Sequence, residues 1–99
     1  MRVLMKVSIP VEAGNRALKD GSLPNTIMGF IEEVRPEASY FVSDGTKGRT
    51  GYFVFDLKES SSLPPIVERF FNNLDAAIEI TPAMNAEDLK TGLGRLKKS

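Results

Sequence analysis

Five residues carry groups that can move a proton, hold a charge or stack on a ring, and each stands among apolar neighbours: Lys6, Tyr40, Tyr52, Asp56 and Glu79. Lys6 lies inside RVLMKVSI (2–9), where Val3, Met5, Val7 and Ile9 mark one face of a strand and Leu4, Lys6 and Ser8 the other. Tyr52 and Asp56 alternate with Phe53, Phe55 and Leu57, and Glu79 stands between Ile78 and Ile80. An isolated ammonium out of water is very costly, while a paired one is tolerable. A lysine on a covered strand face therefore needs a partner, and Glu79 is the carboxylate that a neighbouring strand would offer. Two readings of the group follow. In the structural one it is an interface ion pair among ordinary barrel-filling side chains. In the functional one these groups converge on a small polar-aromatic ligand held between apolar walls. A desolvated Glu79 or Asp56 would then be drawn towards neutral pKa and shuttle protons, and Lys6 with a depressed pKa would form a Schiff base. Tyr40 joins the group only if the register of its hairpin turns it to the same face.

Composition narrows the chemistry. The sequence has 99 residues and no cysteine or histidine, which removes thiol catalysis, disulfides, the usual zinc ligand sets and any Ser-His or Cys-His pair. No glycine-rich phosphate loop precedes a helix, so NAD, ATP and metal sites have no signal and no cofactor is expected. Thirteen basic and thirteen acidic residues cancel, which argues against a surface tracking nucleic-acid phosphates or an anionic membrane. Met1-Arg2 leads straight into a strand with no apolar signal-type region, and no run approaches membrane-spanning length, so a soluble cytoplasmic protein is the expectation.

The elements that must position these groups are legible from spacing. The first strand, 2–9, closes at Pro10. A short helical segment covers 11–19 and ends at Asp20-Gly21. In SLPNTIMGFIEEV, Ser22 is the expected N-cap, and Leu23, Ile27, Phe30, Ile31 and Val34 form one helical stripe up to Pro36. ASYFVS (38–43) and TGYFVFDL (50–57) read as strands around a hairpin loop, Asp44 to Arg49, with two glycines. SLPPIVERFFNNL repeats the Ser-Leu-Pro start forty residues on, with Ile66, Val67, Phe70, Phe71 and Leu74 as its stripe and Asn72-Asn73 as the expected unwinding point. A last strand, 76–81, stops at Pro82. Asn85 caps a tail helix with Leu89, Leu93 and Leu96 on one side, weakened by Gly92 and Gly94 by about 1 kcal/mol each and needing docking to persist. The result is one α+β domain over 1–99: a ferredoxin-like βαββαβ antiparallel sheet in the order 4-1-3-2, with a C-terminal helix and tail over 85–99.

Both faces of that sheet are apolar in part. Two helices cover one. The other carries Leu4, Tyr52 and Val54, roughly 300 Å² in projection for strands of ordinary length and spacing. Such a patch marks a contact or binding surface. Either a second copy covers it face to face with two-fold symmetry, or the C-terminal helix folds across it. A chain of this size buries only about two-thirds of its unfolded surface, which favours help from a partner.

The element order and the stretches PEASYF (36–41), GRTGYFVFDL (48–57), SLPPIVERFF (62–71) and ITPAMNAEDLKTGL (80–93) resemble small uncharacterised bacterial proteins of the dimeric α+β barrel superfamily. Muconolactone isomerases, antibiotic-biosynthesis monooxygenases and stress-responsive barrel proteins are grouped there, and to those the likeness extends to element order alone. The resemblance implies a homodimer whose two sheets enclose a cavity. Those enzymes use His, Trp, Asn or carboxylates in the cavity. With no His or Trp here, no catalytic residue carries over by motif. The implied enzyme is a cofactor-free isomerase, lyase or oxygenase with Glu79 or Asp56 as base and Lys6 or Tyr52 as electrostatic partner. The alternatives are a non-catalytic ligand-binding module and a structural dimer.

The remaining charges read as solvated. Lys47 and Arg49 sit at the hairpin tip, Glu32-Glu33 and Glu87-Asp88 on helix surfaces, and the basic tail of Lys90, Arg95, Lys97 and Lys98 complements a helix C-terminus. GYFVF on the third strand is similar to the RNA-stacking motif of RRM domains in Gly51, Tyr52 and Phe55. Gly48, Arg49 and Thr50 break the preceding positions, and the first strand lacks the second stacking aromatic, so no nucleic-acid partner is expected.

Overall fold

The computed structural model describes residues 1–45 and 48–96. The chain runs β1 (Arg2–Ile9), α1 (Val11–Asp20), α2 (Ser22–Val34), β2 (Ala38–Asp44), β3 (Gly48–Asp56), α3 (Leu63–Leu74), β4 (Ala77–Pro82) and α4 (Ala86–Gly94), with a 3-10 turn at Ser60–Ser62 before α3. The four strands form one sheet in the order β2-β3-β1-β4, with every neighbouring pair antiparallel. This is the expected ferredoxin-like arrangement. Pro82 does not stop β4 but ends it, opposite Val3. An edge strand tolerates proline because one side of its ladder is unpaired.

The odd-numbered residues of β1 and β3 face the helices. Val3, Met5, Val7, Phe53 and Phe55 are buried there with Phe30 of α2 and Phe70 of α3. Phe30 is the hub. Its ring meets Phe53 at 4.8 Å, Phe70 at 5.4 Å and Phe55 at 5.7 Å, all edge to face. That geometry matches the ring quadrupoles and adds to the area buried. One aromatic side chain thus ties the central strand β3 to two helices.

Local chemistry at the helix ends departs from the sequence expectation in two places. Ser22 is not the N-cap of α2. Gly21 holds that position at φ 85°, and it also terminates α1, so two helices meet at one left-handed residue. A side chain is strained at that φ, which is why glycine suits the junction. Ser22 instead donates its backbone N–H to Asp20 Oδ1 at 2.8 Å. Bonds from Ser22's side chain and backbone hold the Asp20 carboxyl below its usual range. Asn72 and Asn73 do not unwind α3. The helix continues to Leu74 and closes on Asp75 at φ 50°. Asn72 Nδ2 donates back to the Glu68 carbonyl at 2.8 Å, and Asn73 Nδ2 donates to Thr26 Oγ1 at 3.0 Å, a polar tie between α3 and α2.

Arg49 is not a loop charge either. It lies in β3, and its Nη2 donates to Asn15 Oδ1 of α1 at 3.2 Å. Gly14 makes room for it: a Cβ there would stand 2.4 Å from Arg49 Nη1. Gly48, at φ 86°, admits no side chain, since a Cβ would fall 2.7 Å from the Ile9 carbonyl. Thr46, Lys47, Lys97 and Lys98 lie outside the described residues.

Truncating Phe30 to Ala leaves a void among three rings and is expected to cost about 3–5 kcal/mol in urea unfolding. Phe71→Ala, on a half-exposed face of α3, should cost well under about 1 kcal/mol.

Candidate functional site

The even-numbered residues of β1 and β3 point away from the helices, and cross-strand register arranges them in rows. Lys6 lies opposite Tyr52 on β3 and Glu79 on β4, and Tyr52 lies opposite Tyr40 on β2. Tyr40, Tyr52, Lys6 and Glu79 therefore form one row across all four strands, about 14 Å long at ordinary strand spacing. The register places Tyr40 on this face. Flanking rows are milder: Ala38, Val54, Leu4 and Thr81 on one side, and Val42, Thr50, Ser8 and Ala77 on the other.

The row is open. Tyr40 is 70% exposed and Leu4 37%, while Lys6 and Tyr52 are half-buried by their neighbours and Glu79 is exposed. The Lys6 ammonium and the Glu79 carboxylate are cross-strand neighbours, yet within this chain they form no salt bridge inside 4.0 Å. Among the described residues, neither charge has a salt-bridge partner.

Asp56 stands apart. It pairs with Arg2, two rows from Tyr52 and about 13 Å along the strand. Its Oδ1 accepts from the Met1 ammonium at 2.9 Å, and its Oδ2 lies 3.1 Å from Lys58 Nζ. Hydrogen bonds from the Met1 ammonium and from Lys58 hold its carboxyl below the usual range. That is the opposite direction from a base poised near neutrality.

Two features were not legible from the sequence. The first is a charge cluster at the end of the same face. Arg2 Nε donates to Glu37 Oε1 at 2.6 Å, and Arg2 Nη1 donates to Asp88 Oδ2 at 2.7 Å. The Glu37 carboxylate, then Asp88, raise the guanidinium's pKa. These three residues are 35 and 51 positions apart in succession, so only the fold brings them together. The second is a cleft of about 140 Å³ on the helix side, walled by Val7, Ile9, Leu23, Ile27 and Phe41 with Arg49 at its rim. The alternation of Phe41 with Tyr40 was the available signal, since it sends one aromatic to each side of the β2 edge.

The tail helix α4 leaves from this end of the open face. Asn85 and Asp88 form a reciprocal capping box, with Asn85 Oδ1 accepting from the Asp88 N–H at 2.8 Å and Asp88 Oδ2 accepting from the Asn85 N–H at 3.1 Å. Beyond its first turn the helix does not lie on the sheet, and none of its residues is buried. The expected alternative, in which the chain's own tail covers the open face, is not adopted.

Among the described residues, no group of three or more His, Cys, Asp or Glu side chains is placed to hold a metal ion. None of the described helices is long and apolar enough to cross a membrane.

No family model matches this chain, and no curated protein matches it. A crystal structure of a formyltetrahydrofolate deformylase from Pseudomonas putida KT2440 is similar over 84% of this chain and 29% of that one, at 17% identity and a TM-score of 0.54. The chain therefore spans under a third of the deformylase's length. At that identity the likeness shows the fold alone, and it agrees with the ferredoxin-like sheet.

Acetylating the Met1 amine and replacing Lys58 by Ala removes both ammonium partners of Asp56. Its pKa, followed by NMR titration, is expected to rise back towards the ordinary carboxylate range of about 3.9. Because the shift is downward in the intact chain, its contribution to stability is present above that range and is lost as pH falls through the folded value.

Proposed function

We propose that this chain works as a homodimer in which two open sheet faces enclose a chamber, and that the chamber takes a small aromatic molecule bearing an anionic or polar group. The observation that carries this reading is the single row of Tyr40, Tyr52, Lys6 and Glu79 across an uncovered face.

The row is complementary to its own reverse. A two-fold axis parallel to the strands sets β4 over the partner's β2 and reverses the row. Lys6 then faces the partner's Tyr52, and Glu79 faces the phenol of the partner's Tyr40. An ammonium over an aromatic ring and a carboxylate accepting from a hydroxyl are both favourable contacts. An axis running across the strands would instead set Lys6 against its own copy and Glu79 against its own copy, which is repulsive. Electrostatics selects the first arrangement.

Within such a chamber each side chain has a role. The two tyrosines from each copy supply ring faces for stacking. Lys6 supplies the cation for an anionic substituent. Glu79, moved out of water by the partner, is the proton acceptor of the row. Lys6 then balances the charge that develops on the ligand. That is the chemistry of a cofactor-free isomerase, lyase or oxygenase. Asp56 is held low by two ammonium groups at the rim and takes no part in proton transfer.

Native mass spectrometry of protein from its own host is expected to show two copies and a retained small molecule. Lys6→Met should weaken binding of that molecule about 10- to 150-fold, the worth of one charged hydrogen bond. A dimer that carries no added mass would reduce the protein to a structural pair, and a single chain at tens of micromolar would remove the chamber.

A further inference from the structure

The helix α4 is the least explained part of the molecule. Nine residues is below the length at which an isolated helix holds in water, about 12–15 residues. Gly92 and Gly94 weaken it further. Leu89 and Leu93 fall at i and i+4 on one flank, 47% and 56% exposed, and Leu96, just past the helix end, is 72% exposed. The radius of gyration is 15.9 Å, against about 12.6 Å for a compact chain of this length. The longest dimension is 58 Å. A short helix with two leucines on one flank thus stands away from the body, and none of its residues is buried.

Its root, by contrast, is firmly placed. The Ala83 N–H donates to the Arg2 carbonyl at 3.0 Å, and Arg2 grips Asp88 in the first turn. Arg2 shares a face with Lys6, so the helix is anchored on the open side of the sheet, where a second copy would sit. The other group of large exposed apolar side chains on the sheet is at its far edge: Tyr40, Phe41 and Val42 on β2. The strand-parallel two-fold axis argued above lays β4, from which α4 departs, beside the partner's β2.

Area points the same way. The sheet face alone, four strands of 6–9 residues, is roughly 450–500 Å² in projection. A stable interface buries about 800 Å² on each partner. The leucine flank of α4, together with the β2 edge, is the apolar surface left to make up the difference.

We propose that α4 is an exchanged arm, its leucine flank packed on the β2 edge of a second copy of this chain and closing the end of the shared chamber. This rests on the paired reading above. Each copy would give an arm and receive one. The Arg2–Glu37–Asp88 cluster is the positioning device that aims the arm off its own sheet.

The chain contains no cysteine, which makes site-specific crosslinking unambiguous. Two full-length single-cysteine variants, Leu93→Cys and Ala38→Cys (at the end of β2 that shares a row with Leu4), are mixed and treated with a short bismaleimide. The expected product is the crosslinked pair of unlike chains. Leu93→Cys alone should give little product, because the two arms leave from opposite edges. In parallel, Leu89→Asp with Leu93→Asp is expected to raise the dimer dissociation constant at least 30-fold in sedimentation. Far-UV circular dichroism should hold, since neither residue is buried in the single chain, while the unfolding midpoint should fall with the weaker dimer. A dimer of unchanged affinity, with no crosslink between unlike chains, would overturn the arm while leaving the paired sheet intact. A single chain at every concentration for the unsubstituted protein would overturn both.

Discussion

The ladder between β1 and β3 is the constraint on which the rest depends. It sets Met5 against Phe53 and Lys6 against Tyr52 in consecutive positions. A slip of one residue would turn four core side chains outward and the lysine inward, exchanging greasy and polar faces at once. The burial of Val3, Met5, Val7 and Ile9 therefore fixes where Lys6 must point. The polar row owes its geometry to the apolar one behind it.

With that ladder in place, the helices settle on one side. Phe30 reaches two rings of β3 and a second helix through edge-to-face contacts, and the small residues Ala13, Gly14 and Ala17 let α1 come close. Nothing comparable forms on the other side. The face bearing Lys6 keeps half-exposed aliphatic and aromatic groups, and the tail helix stands off it. The pairing proposed above would cover both the open sheet face and the undocked helix with the same surfaces, since a two-fold operation repeats each of them.

Much of this was legible from residue spacing. Period-two alternation placed β1, β3 and their buried faces. Period-3.6 stripes placed α2 and α3. Asn85 announced the cap of α4 by type, and the reciprocal bond from Asp88 emerged from the structure. The misreadings were local and share one cause. Ser22, Asn72, Asn73 and Arg49 were judged by intrinsic preference, as cap, breaker and loop charge. For Ser22 and Asn72 the deciding partner was local, the left-handed Gly21 and the Glu68 carbonyl one turn back; for Asn73 and Arg49 it was tertiary, the Thr26 hydroxyl of α2 and the notch at Gly14 beside Asn15. Propensity is a weak prior wherever another element supplies a hydrogen bond.

By itself the amino-acid order determined the strand faces, the helix stripes and the absence of thiol and imidazole chemistry, because those follow from side-chain type and from periods of 2 and 3.6 residues. Tertiary structure alone decided that Tyr40 joins Tyr52, Lys6 and Glu79 while Asp56 does not, and that Arg2 meets Glu37 and Asp88. Those outcomes depend on pairing register and on contacts between residues tens of positions apart. No local pattern encodes a register, since it is set by the whole buried face seeking its partner across the sheet.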